Sequence, residues 1–518
     1  MKKTMKQHSF ASRLKSLALV FGIALAFASC ANEDIAQNPN GTDNNKNFTI
    51  FSTGAPTTRT SMESNGAFYW EAGDKIWVKD DNGTWQQSRN APTEKTASFK
   101  FEVPGSFTKT STYKVYYPGK NGNQNQVTIA ANQSQAEPNT TAHFGTSGDC
   151  GMADAAWSNA KNGFAFTLDH KAAYLLFLPR TSNTILHDCY LTKVEVNSDN
   201  DITSTYTLDP TTGKLTGTGT DKQIMVELGG SGTYANGFPL TNNATSAATN
   251  GAYVVIKPGT HTLKIRYWVK DIATNVEGTI TKVFSSKIFE QNKYYNITAN
   301  LDVRDYDGDH YYMWDAQQNY WSGHEWNSAN PWQPVLNIRS NGNYAQSNTD
   351  SRYYNKVFTP GVNNPATHTS CKDLPNANEM TWYAVKGDPR YDRDELWTAM
   401  GHLYKGGMWF KKKAYISGYN VNTAPDGTDW RTNTNTRDWY TSIIPPSAAD
   451  ASNYFYLPAL GLYNDGQLIG IGYSGFYWSS SAEPTTSHAA YTLRFSPGSV
   501  GVVYGNRKQG VRVEPSFE

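Results

Sequence analysis

From about residue 47 onward the chain is a succession of short stretches in which apolar and polar residues alternate, broken by turn residues. Phe48, Ile50 and Phe51 open the pattern. It recurs at Phe68–Trp70, Lys75–Val78, Tyr113–Tyr117, Ala173–Leu178, Val194–Val196, Ala252–Ile256, Thr262–Val269 and Tyr294–Ile297. Asp81-Asn82-Gly83, Pro118-Gly119 and Pro258-Gly259 lie between these runs as turn signals. Short strands at this spacing, with no long helical period, predict β-sandwiches, and the stretch up to residue 302 has room for two. Further on the pattern changes. Asn376–Ala384 reads as a helix. A second is expected over Arg393–Leu403, where Leu396, Ala399, Met400 and Leu403 recur at helical spacing behind Asp394 and Glu395. The tail returns to strands at Tyr454–Pro458, Gly475–Ser480, Ala490–Phe495, Ser499–Tyr504 and Gly510–Val513. The expected class is therefore mainly β, two sandwiches followed by an α+β unit.

The first thirty residues follow another logic. Lys2, Lys3, Lys6, Arg13 and Lys15 precede a continuous apolar run, Leu17–Ala28, too short to span a bilayer comfortably. Ala28, Ser29 and Cys30 close it, which is the layout of a signal peptide. Phe27-Ala28-Ser29-Cys30 also resembles a lipobox with Phe in place of the usual Leu, in which Cys30 is acylated and becomes the new N-terminus. A plain secretory signal with a chance cysteine is the alternative. Two or more acyl chains, at about 0.8 kcal/mol per buried methylene, would hold the chain on the membrane stably. Ala31-Asn32-Glu33-Asp34 resembles the acidic tag of surface-exported lipoproteins, and residues 31–46 read as a flexible tether.

Composition narrows the partners. The 518 residues carry a formal charge of +1, so there is no electrostatic reason to expect nucleic acid. Aromatics reach 13% although the mean hydropathy is −0.61, so Tyr and Trp stand among Asn, Thr, Ser and Gly. That mixture suits surfaces that bind through rings and amides. Of the four cysteines, Cys150 and Cys189 could pair in an oxidising compartment; the alternative is three buried thiols, Cys371 included.

Several spaced motifs resemble the fimbrillin family of Bacteroidetes. They are Thr58-Arg59-Thr60, the block Phe68-Tyr69-Trp70-Glu71-Ala72-Gly73-Asp74-Lys75-Ile76-Trp77-Val78, Tyr116-Tyr117-Pro118, Gln133-Ser134-Gln135, Phe166–Ala173 and Lys293–Thr298. The resemblance covers about half the chain. Read from the residues alone, Trp70, Trp77 and His170 fill a core and Gly73-Asp74 makes a turn. The resemblance adds assembly into type V pili by strand exchange with other fimbrial subunits. It also implies cleavage by a trypsin-like protease between Arg59 and Thr60; an uncleaved arginine in an exposed loop is the other reading. The expected divisions are a signal peptide at 1–30, the tether at 31–46, sandwiches at 47–182 and 183–302, and a binding domain at 303–518.

The last of these is rich in tryptophan: ten of the chain's 15 lie beyond residue 310. Leu374–Glu379, Gly401–Trp409, Leu457-Pro458-Ala459, Tyr477–Ser480 and the final Arg507…Pro515 stretch resemble the C-type-lectin-like fold. The branch concerned is the one of bacterial surface proteins and retroelement-diversified receptors. In such a fold Tyr477, Trp478, Leu493, Phe495 and Val511 are framework. Tyr463, Asn464, Tyr473, Ser474, His488, Tyr504 and Asn506 are the candidate ligand-binding set, with ordinary solvated loops as the alternative.

Catalysis is not expected. The oxidases that share the lectin-like fold need a cysteine pair, and this region has only Cys371. His324-Glu325 lacks the second histidine of a zinc helix, since position 328 is Ser. Gly470–Gly475 matches a dinucleotide fingerprint but runs into a strand rather than a helix. Asp305–Asp309 hints at calcium, yet the twelfth loop position is Ala316, so a linker turn and no bound metal are expected. No cofactor is expected either. The expectation is a fimbrial tip or accessory adhesin on the outer membrane, held through its lipid alone and binding a surface glycan or protein. A non-polymerising lipoprotein receptor comes next, and an enzyme of glycan or sulfatase-type chemistry third.

Overall fold

The computed structural model describes residues 5–8, 47–53, 61–62, 68–514 and 517. Cys30, Arg59 and Thr60, and with them the lipidation and cleavage expectations, lie outside the described residues. The described chain is mainly β, as the alternating pattern predicts.

The first sandwich is built on a sheet ordered Trp85–Gln87, Trp77–Lys79, Tyr113–Tyr117, Gly151–Ser158, Gly163–Phe166, Thr49–Thr53 and Lys100–Val103. Its core holds Phe51, Trp70, Ile76, Val78, Phe101, Tyr117 and Phe164, with Trp70 meeting Phe101 and Tyr117 edge-on. Gly73 lies at φ +84, and Asp74 accepts a bond from Glu71 N, the turn expected there. His170 is buried and bonded to Asp149 at 2.8 Å, a core role. Trp77 is half-buried against the second core rather than the first.

The second core does not begin at residue 183. Ala173–Arg180 pairs with Ala252–Ile256 on one side and runs parallel to Lys293–Asn300 on the other. Gln126–Ile129 and Asn132–Gln135 likewise join Ser204–Leu208 and Gln223–Leu228. The expected division at 182/183 is thus corrected: strands on both sides of it share one core, in which Leu175, Phe177, Val194, Val226, Val254, Ile265 and Tyr267 meet. Ala173–Pro179 is buried at every position, the signature of a strand covered on both faces, and periodicity cannot say which core owns such a run. On the outer edge of Lys293–Asn300, Met5–His8 lies antiparallel, Met5 opposite Ile297.

The C-terminal unit carries the helix Ala377–Lys386, begun by a capping box in which Asn376 accepts from Asn378 and Glu379 while Glu379 accepts from Asn376 N. The second expected helix is absent. Residues 390–399 form a strand that turns back through Met400 (φ 50) and Gly401 (φ 78) into His402–Lys411. Two successive left-handed residues make the two-residue hairpin turn that a helix cannot contain. Leu396 and Leu403 enter the second sandwich core, whereas Trp397, Ala399 and Met400 enter a separate aromatic core. The strand is therefore buried on both sides, and its apolar spacing mimics a helical period.

That strand also joins the units. Thr279 of Glu277–Phe289 pairs with Glu395, carrying the second sandwich's sheet into the C-terminal unit. Around the joint, Arg266 meets Asp392 at 2.8 Å, with side-chain exposures of 9% and 2%. Glu395 accepts from Thr281 N and from the Thr279 and Thr281 hydroxyls, and Lys264 donates to Pro446 O. Beyond it lies the sheet Tyr311–Tyr312, Val511–Arg512, Gly475–Ala482, Ala489–Ser496, Ser499–Asn506 and Arg437–Tyr440, its last strand an edge.

Candidate functional site

Three loops of the C-terminal sheet converge on the turn that follows Ser499–Asn506. Asn506 Oδ1 accepts from Lys508 N at 3.0 Å, and Asn464 Oδ1 accepts from Gln509 Nε2 at 3.1 Å. The His488 carbonyl accepts from Arg507 N at 2.9 Å. Asn464, His488 and Asn506 of the expected set are thus brought together, and Tyr504, 44% exposed, stands on the strand leading in.

Between these residues Arg507 dives inward. Its side chain is fully buried, Nε donating to Ala489 O and Nη1 to Asn355 O, with the guanidinium 4.4 Å from the Trp314 ring centre. Among the described residues no carboxylate pairs with it and Nη2 has no partner. Burial pulls its pKa down to about 10, so it keeps its charge at neutral pH. Asn355 and Val357, whose carbonyls face this cation, also line a cleft of about 360 Å³ together with residues 348–351, Tyr353, Tyr354, Lys356, Asp315 and His368. Lys356 and Lys508 lie 5.3 and 6.0 Å from the Tyr353 ring centre. The cleft is held from below by Asp315, whose carboxylate accepts from Asn355 Nδ2, Thr367 N and His368 N at 2.7–2.8 Å. With four hydrogen bonds to the Asp315 carboxylate the loop is pre-shaped, and a lining of Lys356, Asp350, Asn348, Thr349 and two tyrosines favours a strongly polar ligand.

Other members of the expected set sit elsewhere. Tyr463 is a correction: it is fully buried, donates to Pro334 O at 2.6 Å and packs among Tyr311, Tyr320 and Trp321. Burial pushes its phenol well above the ordinary value. In a strand its neighbour Asn464 points the other way, which is why only one of the pair reaches the surface. Tyr473, 60% exposed, and Ser474 belong to the turn from Gly470, where Ser474 N donates to Gly470 O and Tyr473 O accepts from Tyr391. That turn adjoins a shallower hollow of about 530 Å³ at the junction, lined by Gly472, Tyr404, Lys405 and Trp268.

A second pocket, of about 260 Å³, was not legible from the loops of the last strands. It lies between the C-terminal end of the helix and the edge strand, lined by Thr381, Lys386, Asp426, Trp430, Asn435, Arg437 and Trp439. The signal available in the sequence was two tryptophans flanking a run of Thr, Asn and Arg.

The thiols correct the disulfide expectation. Cys150, Cys189 and Cys371 are free and buried. Burial pushes the Cys189 and Cys371 thiols up to about 12 and Cys150 well above its ordinary value, so none is a thiolate near neutrality. Among the described residues, Asp307, Asp309 and His310 are the one group spaced to hold a metal ion. The His310 ring already bonds both carboxylates, and Arg512 stands 3.5 Å from Asp307. The cluster thus supplies its own counter-charge.

No protein-family model and no curated protein sequence matches the chain. Solved structures do match about half of it. A candidate cell adhesion protein of Bacteroides ovatus is 16% identical over 49% of this chain and 93% of its own, with a TM-score of 0.31. The fimbrial anchor protein Mfa2 of Porphyromonas gingivalis is 10% identical over 46% and 82%, with a TM-score of 0.23. A fimbrial assembly protein of Parabacteroides distasonis is 12% identical over 49% and 90%, with a TM-score of 0.25. The structural neighbours are thus named for adhesion and fimbriae.

Proposed function

We propose that the chain is a cell-surface adhesin of a fimbrial, type V pilus system, placed at the tip or as an accessory subunit, that binds a surface glycan or protein through its C-terminal unit. The observation that carries this reading is the cleft beside Arg507, next to the turn around which Asn464, His488 and Asn506 gather. It is set on a unit sewn to the sandwiches by a continuing sheet and a buried ion pair. Such a joint suits a module that must hold its ligand while its stem is anchored.

In this reading Cys30 is acylated and delivers the chain to the outer membrane. Cleavage between Arg59 and Thr60 then frees it to assemble, and the membrane is contacted through the lipid alone. Other fimbrial subunits join by strand exchange. The ladder that Met5–His8 makes along the edge of Lys293–Asn300 supports that edge as one able to take an added strand. Tyr473 and Ser474 belong to a secondary contact at the junction.

The test is an array of glycans and host proteins probed with the full chain and with the variants Asn506→Ala and Lys508→Glu. Binding that the wild type shows and both variants lose is the expected result. Binding unchanged in both would overturn the assignment of the cleft. N-terminal sequencing of surface-purified protein tests the cleavage: a start at Thr60 supports it, and a start at the acylated Cys30 refutes it.

A further inference from the structure

We propose that the pocket between the helix Ala377–Lys386 and the edge strand Arg437–Tyr440 is a second, separate binding site, taking a single pyranose unit of a glycan against the Trp439 ring. Its two tryptophan rings lie 6.5 Å apart, centre to centre, and nearly parallel, at 24°. Trp430 is buried, with its indole N–H on Asp426 at 3.1 Å, while Trp439 is partly buried and lines the same space, with the Arg437 guanidinium 5.8 Å from its ring centre. A flat, half-open ring is the surface on which the apolar C–H face of a sugar stacks. The polar groups at its margin, Asp426, Asn435, Arg437 and Lys386, are the kind that bond hydroxyls.

Size and charge narrow the occupant. About 260 Å³ falls just short of the ~300–1,000 Å³ of pockets that enclose drug-sized ligands, so one ring fits better than a chain of them. Paired aromatic rings also suit quaternary ammonium groups, but Lys386 and Arg437 outnumber Asp426 here and repel a cation. The aliphatic lining is confined to Val385, Ala424 and Pro425, too little to anchor an apolar side chain of a peptide.

The wall is built rather than incidental. The loop that carries Asp426 and Trp430 is tied to the helix by Asn376 Nδ2 to Val421 O at 3.0 Å and Trp382 Nε1 to Thr423 O at 2.8 Å. It is tied again by Trp430 N to Asn378 Oδ1 at 2.8 Å. Asp429 accepts from Asn378 Nδ2 and holds Arg431 through two nitrogens, 2.8 Å each. A loop fixed at this many points loses little freedom when a ligand enters.

This site shares no lining residue with the cleft beside Arg507, so either assignment can fail alone. It is tested by saturation-transfer NMR on the full chain with methyl pyranosides of glucose, galactose, mannose, N-acetylglucosamine and glucuronic acid. At least one should take up saturation on its ring C–H protons. Trp439→Ala should weaken its binding about tenfold or more, the scale of one lost ring contact. Tyr440→Ala, whose ring is on the opposite side of the same strand and 99% exposed, should leave it unchanged. If Trp439→Ala fails to fold, Arg437→Ala and Lys386→Ala at the exposed rim should weaken the same signal. Saturation of none of the five glycosides would overturn the proposal. So would equal saturation in the folded Trp439→Ala or the rim variants.

Discussion

Replacing Asp392 by alanine strands the Arg266 guanidinium inside the joint between the second sandwich and the C-terminal unit. The pair is 2.8 Å apart, and the two side chains are 9% and 2% exposed, so water cannot take over the lost partner. Asp392 also accepts from Trp409 Nε1 at 3.2 Å and Asp394 N at 3.0 Å, and both donors lose an acceptor. Arg266 keeps its bond to Thr279 Oγ1 at 2.9 Å and the charge of the neighbouring carboxylates Glu195 and Glu395, but no direct ion pair. Breaking a buried pair in this way costs about 3–5 kcal/mol. For a unit of this size that lowers the midpoint of its thermal transition by roughly 10 °C. A chain with several cores need not melt in one step, so the assay is calorimetry resolved into transitions, with limited proteolysis to locate the strand that opens first. The double variant Arg266→Met/Asp392→Leu removes both charges and should recover most of the loss, because apolar side chains of similar volume replace such pairs at little cost. An Asp392→Ala protein that melts with the wild type, or a double variant no better than the single one, would refute the idea that this pair clamps the joint.

Glu395 adds a pH dependence to the same joint. Burial and then the neighbouring Asp392 push its pKa up to about 7, against bonds from Thr281 and the charge of Arg266, which lower it. Between the ordinary glutamate value, about 4.3, and about 7 the folded chain holds the proton more tightly, so this contribution is present at acid pH and is lost as pH rises through that window. Glu395→Gln should flatten the dependence and raise the melting temperature at pH 8 relative to pH 5; a wild-type profile already flat across that range would contradict it. Asn376→Ala removes the acceptor of two helix N–H groups and should cost about 1 kcal/mol in the transition of the C-terminal unit; no change in its melting would count against the capping box. Ellman's reagent should find none of the three buried thiols in the native chain and all three in guanidinium, whereas a Cys150–Cys189 bond would leave one.

How far the sequence could be read depended on how many faces of a segment are buried. Trp70 and His170 were legible as core because they stand in half-buried alternating strands with clear turns beside them. The helix at Ala377–Lys386 announces itself by Asn376 and Glu379. The helix expected over Arg393–Leu403 is instead the strand Arg390–Ala399 and its hairpin turn, because two different cores claim the strand's two faces and leave an apolar spacing that fits a helix as well as a strand. The Met400-Gly401 turn was the clue to the strand, but neither φ is written in the sequence except through the glycine. Ownership of Ala173–Arg180 by the second core is a matter of long-range pairing, which alternation does not encode. Asn464, His488 and Asn506 are legible by residue type as polar positions near one turn, whereas the cleft beside that turn is lined by other residues, Tyr353, Lys356 and His368 among them. Tyr463 was placed among them on the same grounds, although its phenol is satisfied inside the core. The Trp430–Trp439 pocket needed the helix and the edge strand brought side by side, a juxtaposition spanning almost sixty residues from Thr381 to Trp439.

Where this molecule works on the cell divides the adhesin from the free-standing receptor. Immunogold electron microscopy of intact cells, with antibody raised against residues 310–518, tests it most directly. Gold at the ends of fibres, lost when the fimbrial shaft subunit is deleted, is the result the adhesin reading predicts. Gold spread evenly over the membrane and unaffected by that deletion would contradict it and identify a free-standing surface receptor instead.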